Sequence, residues 1–133
     1  MRDRFHCTYC GGRVVPRCIL VALSDLFPDE LAYHPNYARG QIHPVYWALA
    51  PEADHDLAHS RGGTNDIGNL ATLHTACNAR KSDSLTALMP AVTPPAARAE
   101  WDGLLSFYPG IVASGPGTRE MYHARWIRHF SRP

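Results

Sequence analysis

The segment from residue 53 to 83 contains side chains that can hydrolyse a phosphodiester bond. That reaction needs a base that activates water and a cation that neutralises charge on the phosphate and the leaving group. His55 is the candidate base, because an imidazole with a pKa of about 6.5 is largely neutral at cellular pH. Asp54 and Asn78 are candidate oxygen ligands of a hard catalytic cation such as Mg²⁺ or Mn²⁺.

The elements that must position these side chains form an irregular hairpin followed by a helix. The sequence predicts strands over residues 53–59 and 69–73, joined by a glycine-rich turn, and a helix that begins near Thr75 and ends before Pro90. We expect Asn69 to hold the connecting loop by side-chain hydrogen bonds to backbone, which would keep His55 aimed at a substrate. Because adjacent strand residues point to opposite faces, a bend is expected at His55.

A second group of residues has the spacing of a structural zinc site. Cys7 and Cys10 form a Cys-x-x-Cys pair, and His74 and Cys77 form a second short-range pair. Four such ligands suit tetrahedral Zn²⁺ and leave no open position for hydrolytic water, so this ion is expected to be structural. Cys18 is the alternative fourth ligand, although its apolar neighbours favour a buried free cysteine.

Several basic side chains near the candidate base are candidates for nucleic-acid contacts. His59 shares a face with His55 in the strand predicted over residues 53–59, so it is a candidate phosphate contact. The remaining candidates, which would flank the groove, are Arg61, Arg80 and Lys81. The alternatives are an ordinary surface histidine and a solvated charged surface.

Taken in order, Cys-x-x-Cys, Asp-His, a Gly-Gly turn, Asn-Leu and Cys-Asn-x-x-Lys-x-Asp resemble the HNH endonuclease family. The resemblance covers the cysteine turn and residues 53–83, and it departs from the common family pattern at His74, where cysteine is frequent. It implies an α+β fold with a ββα-metal core, with His55 as general base, Asp54 and Asn78 as catalytic cation ligands and Asn69 as the loop brace. It also implies products with 5'-phosphate and 3'-hydroxyl ends.

The rest of the chain is predicted to add helices to this core within a single domain of residues 1–133. The core itself would comprise residues 5–16, with a short strand at Val14–Val15, and residues 53–88. An insertion over 17–52 is predicted to contain a helix from Arg17 to Phe27 and then a loop. A C-terminal extension over 96–131 would contain helices, one of them from Ala96 to Tyr108, after a proline-rich linker at 90–95.

The basic C-terminal segment is open to two interpretations. Its arginines can lie along a phosphate backbone, or they can face water on an amphipathic helix that packs on the core. The apolar side of that helix would comprise Met121, Tyr122, Trp126, Ile127 and Phe130.

Composition sets limits on the function. The net charge of the 133 residues is only +1, which argues against a long footprint driven by phosphate contacts alone. The sequence has no apolar run that could span a bilayer and no secretory signal, so we expect a cytoplasmic protein without a membrane partner. The expected function is metal-dependent DNA cleavage, acting as a monomer or homodimer, and the alternative is a zinc-stabilised nucleic-acid-binding module without cleavage activity.

Overall fold

A computed structural model describes residues 3–38, 40–82 and 100–132. The helices are α1 (Arg17–Leu26), α2 (Val45–Leu49), α3 (Thr75–Lys81), α4 (Tyr108–Ala113) and α5 (Glu120–Phe130), and the strands are β1 (Pro51–His55) and β2 (Leu70–His74). None of these helices is long and apolar enough to cross a membrane. The predicted α+β class and ββα-metal core are confirmed, whereas the single domain over 1–133 stays a prediction.

The two strands form the antiparallel hairpin of that core. Pro51 pairs with His74 and His55 with Leu70, and α3 follows β2 without a break. Both strands differ from the predicted ranges. The first begins at Pro51 and ends at His55, and the predicted strand over 69–73 is displaced by one residue, because Asn69 closes a 3-10 turn over Ile67–Asn69.

The N-terminal turn packs beside β2. Cys7 N–H donates to Gly12 O and Gly11 N–H to Cys7 O, which closes the turn, and Thr8 N–H donates to Thr72 O on β2. The strand predicted at Val14–Val15 is wrong: these residues form no strand, and an isolated bridge between His6 and Arg13 precedes them. Beneath this turn lies a small core that contains Cys7, Val14, Ala71, Leu73 and Cys77.

A larger core joins α1, α2, α4 and α5. Helix α1 begins directly after Pro16, and Pro28 follows its C-terminal end, which agrees with the predicted helix over 17–27. Buried residues at nearly every position from Cys18 to Ala22 show that this helix lies inside the fold. Cys18 belongs to this apolar cluster, which agrees with its interpretation as a buried free cysteine.

The helix predicted from Ala96 to Tyr108 is wrong over its described part, residues 100–107, which form turns. The Asp102 carboxylate accepts hydrogen bonds from the backbone N–H groups of Leu104 and Ser106. Gly103 and Leu104 both have positive φ, at 70° and 69°, which right-handed helix excludes. Residues 96–99 of this prediction and the proline-rich linker at 90–95 lie outside the described residues.

The apolar side predicted for the C-terminal helix α5 was wrong at two of its five residues, since Met121 and Trp126 are exposed. Tyr122, Ile127 and Phe130 pack against the larger core. Met121, however, is 88% exposed, because it lies on the side of the helix turned away from α1 and α4.

Buried polar bonds connect α5 to α1 and α4. The hydroxyl of Tyr108 lies 2.8 Å from Nδ1 of His123, and Nε2 of His123 lies 3.0 Å from Oδ2 of Asp25. A carboxylate only accepts, so Nε2 of His123 donates, and in the neutral ring Nδ1 accepts from Tyr108. The other oxygen of Asp25 pairs with Arg119. Burial is the main cause that raises the pKa of Tyr108, so its hydroxyl keeps the hydrogen it donates.

We expect Tyr108→Phe to lower the free energy of unfolding by about 1–3 kcal/mol, because it leaves a buried acceptor on His123 without a donor. Tyr37→Phe is the matched control, since the buried hydroxyl of Tyr37 has no hydrogen-bond partner of standard geometry among the described residues. Chemical denaturation of both variants measures the difference. Equal stability of the two variants would contradict a structural role for the bond to His123.

Candidate metal and catalytic site

Four side chains converge where the N-terminal turn meets the junction of β2 and α3. The sulfurs of Cys7, Cys10 and Cys77 and a ring nitrogen of His74 all lie within 4.8 Å of one another. Tetrahedral Zn²⁺, with bonds of about 2.0–2.3 Å, separates its ligand atoms by about 3.5–3.8 Å. The predicted Cys3His group is therefore confirmed as a group that can hold a metal ion, and its donor set fits zinc.

His74 is oriented for this role by a hydrogen bond on the far side of its ring. Nε2 of His74 lies 2.8 Å from the carbonyl oxygen of Arg13, so Nε2 carries the hydrogen and Nδ1 presents its lone pair. Nδ1 lies 3.3 Å from Sγ of Cys10 and 3.8 Å from Sγ of Cys77. Gly12 is required beside the ring, because a Cβ there would lie 2.9 Å from Cε1 of His74.

The thiols of this group ionise unequally without a cation. For Cys7 in the metal-free protein, burial opposes ionisation, but a hydrogen bond from the protonated His74 ring, whose own pKa its bond to Cys7 raises against the effect of burial, and bonds from backbone outweigh it and lower the pKa to about 6. For Cys77, burial and then the charge of Cys7 raise the pKa to about 12. One thiolate therefore forms readily at neutral pH, and further ionisation awaits a positive ion.

Zinc binding should consequently release protons at pH 7, since Cys77 must lose its hydrogen to become a ligand. Below pH 6 the Cys7 thiolate is also protonated, so we expect affinity to fall more steeply with pH there. Titration calorimetry of metal-free protein in two buffers of different ionisation enthalpy measures the released protons. Cys18→Ala should bind zinc as the wild type does. An enthalpy that is independent of the buffer would contradict the protonated state of Cys77.

The loop that follows β1 is pinned by Asn69. Its Oδ1 accepts from Leu57 N–H at 2.9 Å, and its Nδ2 donates to Leu57 O at 3.1 Å and to Thr64 O at 2.8 Å. The bonds span both sides of the loop, as the expected bracing requires. The role of Asn69 in catalysis stays a prediction.

The two glycines of the loop serve different purposes. Gly62 has φ at 88°, a left-handed conformation that favours glycine. Gly63 is buried, and a Cβ there would lie 1.8 Å from Leu57 O and 2.9 Å from Nδ2 of Asn69. The loop can therefore close around Asn69 only if residue 63 lacks a side chain.

Gly63→Ala should displace Asn69 and loosen the loop, which we expect to lower the free energy of unfolding by about 1–3 kcal/mol, as overpacking typically does. Gly68→Ala is the matched control, since nothing lies within 4 Å of a Cβ at that position. The Leu57 N–H donates to Oδ1 of Asn69, so its hydrogen-exchange rate measures directly how firmly the loop is held. Equal exchange rates in the two variants would show that this packing does not hold the loop.

His55 is the last residue of β1, and the chain bends at the two residues after it. Its Nε2 lies 2.8 Å from Oδ1 of Asn65 in the same loop. Because an amide oxygen only accepts, Nε2 donates and the lone pair of Nδ1 is left to accept a proton. Asn65 was missed by the sequence analysis, since its place in a turn had suggested only turn chemistry.

Asp54 and Asn78 both lie between β1 and α3 but have different partners. Oδ2 of Asp54 is buried, lies 2.5 Å from Nζ of Lys81, and has no hydrogen-bond partner of standard geometry among the described residues. Nδ2 of Asn78 donates to Oε2 of Glu52 at 2.8 Å, which leaves the amide oxygen to act as a ligand. Glu52 was also missed, because it stands outside the recognised pattern.

These donors fit a magnesium-class ion, which commonly takes one or two protein oxygen ligands together with water and phosphate. No hydrogen bond or ion pair between the described residues joins Asp54 to Asn78, and the side chains of Asp54 and His55 bond to different elements, α3 and the loop. The assignment of Asp54, His55 and Asn78 to one catalytic centre therefore stays a prediction.

The four candidate nucleic-acid contacts differ in their exposure and in the elements on which they lie. Lys81 as a phosphate contact is wrong: its side chain is 1% exposed, paired with Asp54, and it donates to the carbonyl of His55 at 2.9 Å. His59 lies in a 3-10 turn because β1 has ended, so the shared strand face is also wrong, although its ring lies 6.2 Å from that of His55. Arg61 and Arg80 are exposed, and their contacts with nucleic acid stay predictions.

Comparison with known proteins agrees with this geometry. Residues 47–84 match the sequence model of the HNH endonuclease family. No curated protein and no solved structure matches the chain. The matched range includes β1, β2 and α3 together with His74 and Cys77, and Cys7 and Cys10 complete the metal-ligand group from outside it. The chain therefore carries the ββα element of the HNH endonuclease family.

Proposed function

We propose that this protein is a metal-dependent DNA endonuclease that hydrolyses phosphodiester bonds, with His55 as the general base. The observation that carries the proposal is the position of His55 at the end of β1, where Asn65 orients its ring. The match of residues 47–84 to the HNH endonuclease family supports the same chemistry.

In the proposed reaction, Nδ1 of His55 accepts a proton from water while the water oxygen attacks phosphorus. The bond from phosphorus to the 3'-oxygen breaks, and the leaving oxygen takes a proton from solvent. The products then carry 5'-phosphate and 3'-hydroxyl ends. Asn65 keeps the Nε2 hydrogen of His55 engaged and so presents Nδ1 to the water.

A divalent cation, Mg²⁺ or Mn²⁺, held by Asp54 and Asn78 would neutralise the charge that builds on the phosphate and the leaving oxygen. Glu52 orients the amide of Asn78, and Lys81 holds the carboxylate of Asp54 from the side of α3. Zinc in the Cys3His group would be structural, because four protein ligands leave no position for water. His59, Arg61 and Arg80 would contact the substrate phosphates.

Zinc-loaded wild-type protein should convert supercoiled plasmid to nicked or linear forms when Mg²⁺ or Mn²⁺ is added, and not when it is omitted. We expect His55→Ala to slow cleavage at least about a hundredfold, the usual contribution of a general base. His34→Ala is the matched control, because its imidazole bonds only to nearby backbone among the described residues. Agarose gel electrophoresis over time gives both rates.

Cleavage by His55→Ala at the wild-type rate would contradict the assignment of the base. DNA binding without cleavage by the wild type would instead favour the zinc-stabilised binding module. The ratio of nicked to linear product also distinguishes sequential nicking from concerted cutting of both strands, which would require two active sites and so favour a homodimer.

A further inference from the structure

A groove runs along one side of α5, a helix that lies outside the HNH match. Two adjoining cavities of about 580 Å³ and 410 Å³ share Tyr122, Trp126 and His129 as lining residues. The larger cavity continues to Arg17, Tyr33 and Pro51. We call this surface the α5 groove.

The aromatic rings of the α5 groove differ in exposure: Tyr122 packs partly against the larger core, whereas Trp126 and His129 are exposed to solvent. Trp126 remains 37% exposed, whereas His123 on the core-facing side of the helix is 1% exposed. The ring of Trp126 lies 6.4 Å from that of Tyr122 and 5.7 Å from that of His129, in edge-to-face arrangements. The Trp126 ring also stacks on Phe130 at 5.7 Å between ring centres, so the exposed remainder of its surface is what a planar ligand can stack on.

Positive charge lies beside these rings. Arg125 lines the smaller cavity, and Arg128 and Arg132 are exposed further along the same segment. On the opposite wall, the guanidinium of Arg17 lies 4.6 Å from the ring centre of Tyr37. Proteins that bind single-stranded nucleic acids combine aromatic rings with arginines in this way. The bases stack on the rings, and the phosphates pair with the cations.

The α5 groove leads toward the proposed catalytic site. Pro51 lines the groove and begins β1, and His55 ends that strand. Four steps of ~3.3 Å place the two residues about 13 Å apart, which about four nucleotides of a stacked strand would span. Tyr37, beneath Arg17, also lines the pocket that contains Asn78.

We propose that the α5 groove binds an unpaired stretch of the substrate strand, so that this protein acts on nucleic acid with a single-stranded segment beside the scissile phosphate. The inference rests on the proposed endonuclease function and specifies its substrate. Paired bases hide their faces inside a duplex, so exposed rings in a groove select bases that are not paired. The net charge of +1 agrees, because long duplex footprints depend on many phosphate contacts.

Binding can be measured apart from cleavage by fluorescence anisotropy of zinc-loaded protein without a catalytic cation. The probes are a short labelled DNA strand of mixed sequence, the same strand as a duplex, and an RNA strand of that sequence. We expect the single DNA strand to bind more tightly than the duplex. Trp126→Ala should weaken single-strand binding about tenfold or more, and Trp126→Phe should restore most of it.

Met121→Ala is the control, because Met121 is an exposed residue of the same helix that lines neither cavity. Arg125→Gln is a second, solvent-exposed test that remains informative if Trp126→Ala reduces zinc content or thermal stability. It should lower the slope of log Kd against log salt by about 0.7, the contribution of one phosphate contact on a single strand.

Equal binding of strand and duplex, or variants at Trp126 and Arg125 that bind like Met121→Ala, would overturn the proposal. Tighter binding of the RNA strand than of the DNA strand would support the groove as a binding site but contradict DNA as its substrate. Single-strand binding through Trp126 without cleavage would support the groove while contradicting the endonuclease. If wild type and Trp126→Ala cleave plasmid equally and bind DNA equally, the endonuclease would be supported and the groove contradicted.

Discussion

The convergence of three cysteine sulfurs and a histidine ring on one point is the constraint on which this fold depends. Cys7, Cys10 and Cys77 meet around His74, and the raised pKa of Cys77 shows that burial and the neighbouring thiolate oppose a second negative charge. A divalent cation bound by these four side chains would remove that opposition, because each thiolate would be attracted to the cation. Since His74 ends β2 and Cys77 lies in the first turn of α3, the cation would also fix the direction in which α3 leaves the sheet.

The direction of α3 determines what its other side can reach. Successive helical residues differ by about 100°, so Cys77 can face the metal group while Asn78 faces β1. One turn later Lys81 reaches Asp54 and is buried there. A buried ammonium is tolerated only with a close counter-charge and hydrogen-bond acceptors, and Asp54 and the carbonyl of His55 supply them. The Cys3His group and the proposed catalytic group thus lie on two different sides of α3.

The residues that sequence spacing predicted are those whose partners lie close along the chain or whose chemistry allows few alternatives. Cys7 and Cys10 lie in one tight turn, and Asn69 bonds to the backbone of Leu57 and Thr64 within its own loop. Lys81, by contrast, depends on a carboxylate 27 positions earlier in the chain, which no local pattern reveals. The helix predicted from Ala96 failed in its described part because the side chain of Asp102 competes for backbone N–H groups, which apolar periodicity does not register.

The two cores of the protein meet at the start of β1. This junction connects the α5 groove, where substrate would bind, to His55, where cleavage would occur. Val15 N–H donates to Leu49 O, and Thr75 N–H donates to the carbonyl of the fully buried Ala50. These bonds fasten the end of α2 to the N-terminal turn on one side and to α3 on the other. The larger core supports α5, and the smaller one supports the metal group. A strand bound along α5 would therefore be held in a fixed relation to His55 through rigid elements, as accurate placement of a scissile phosphate requires.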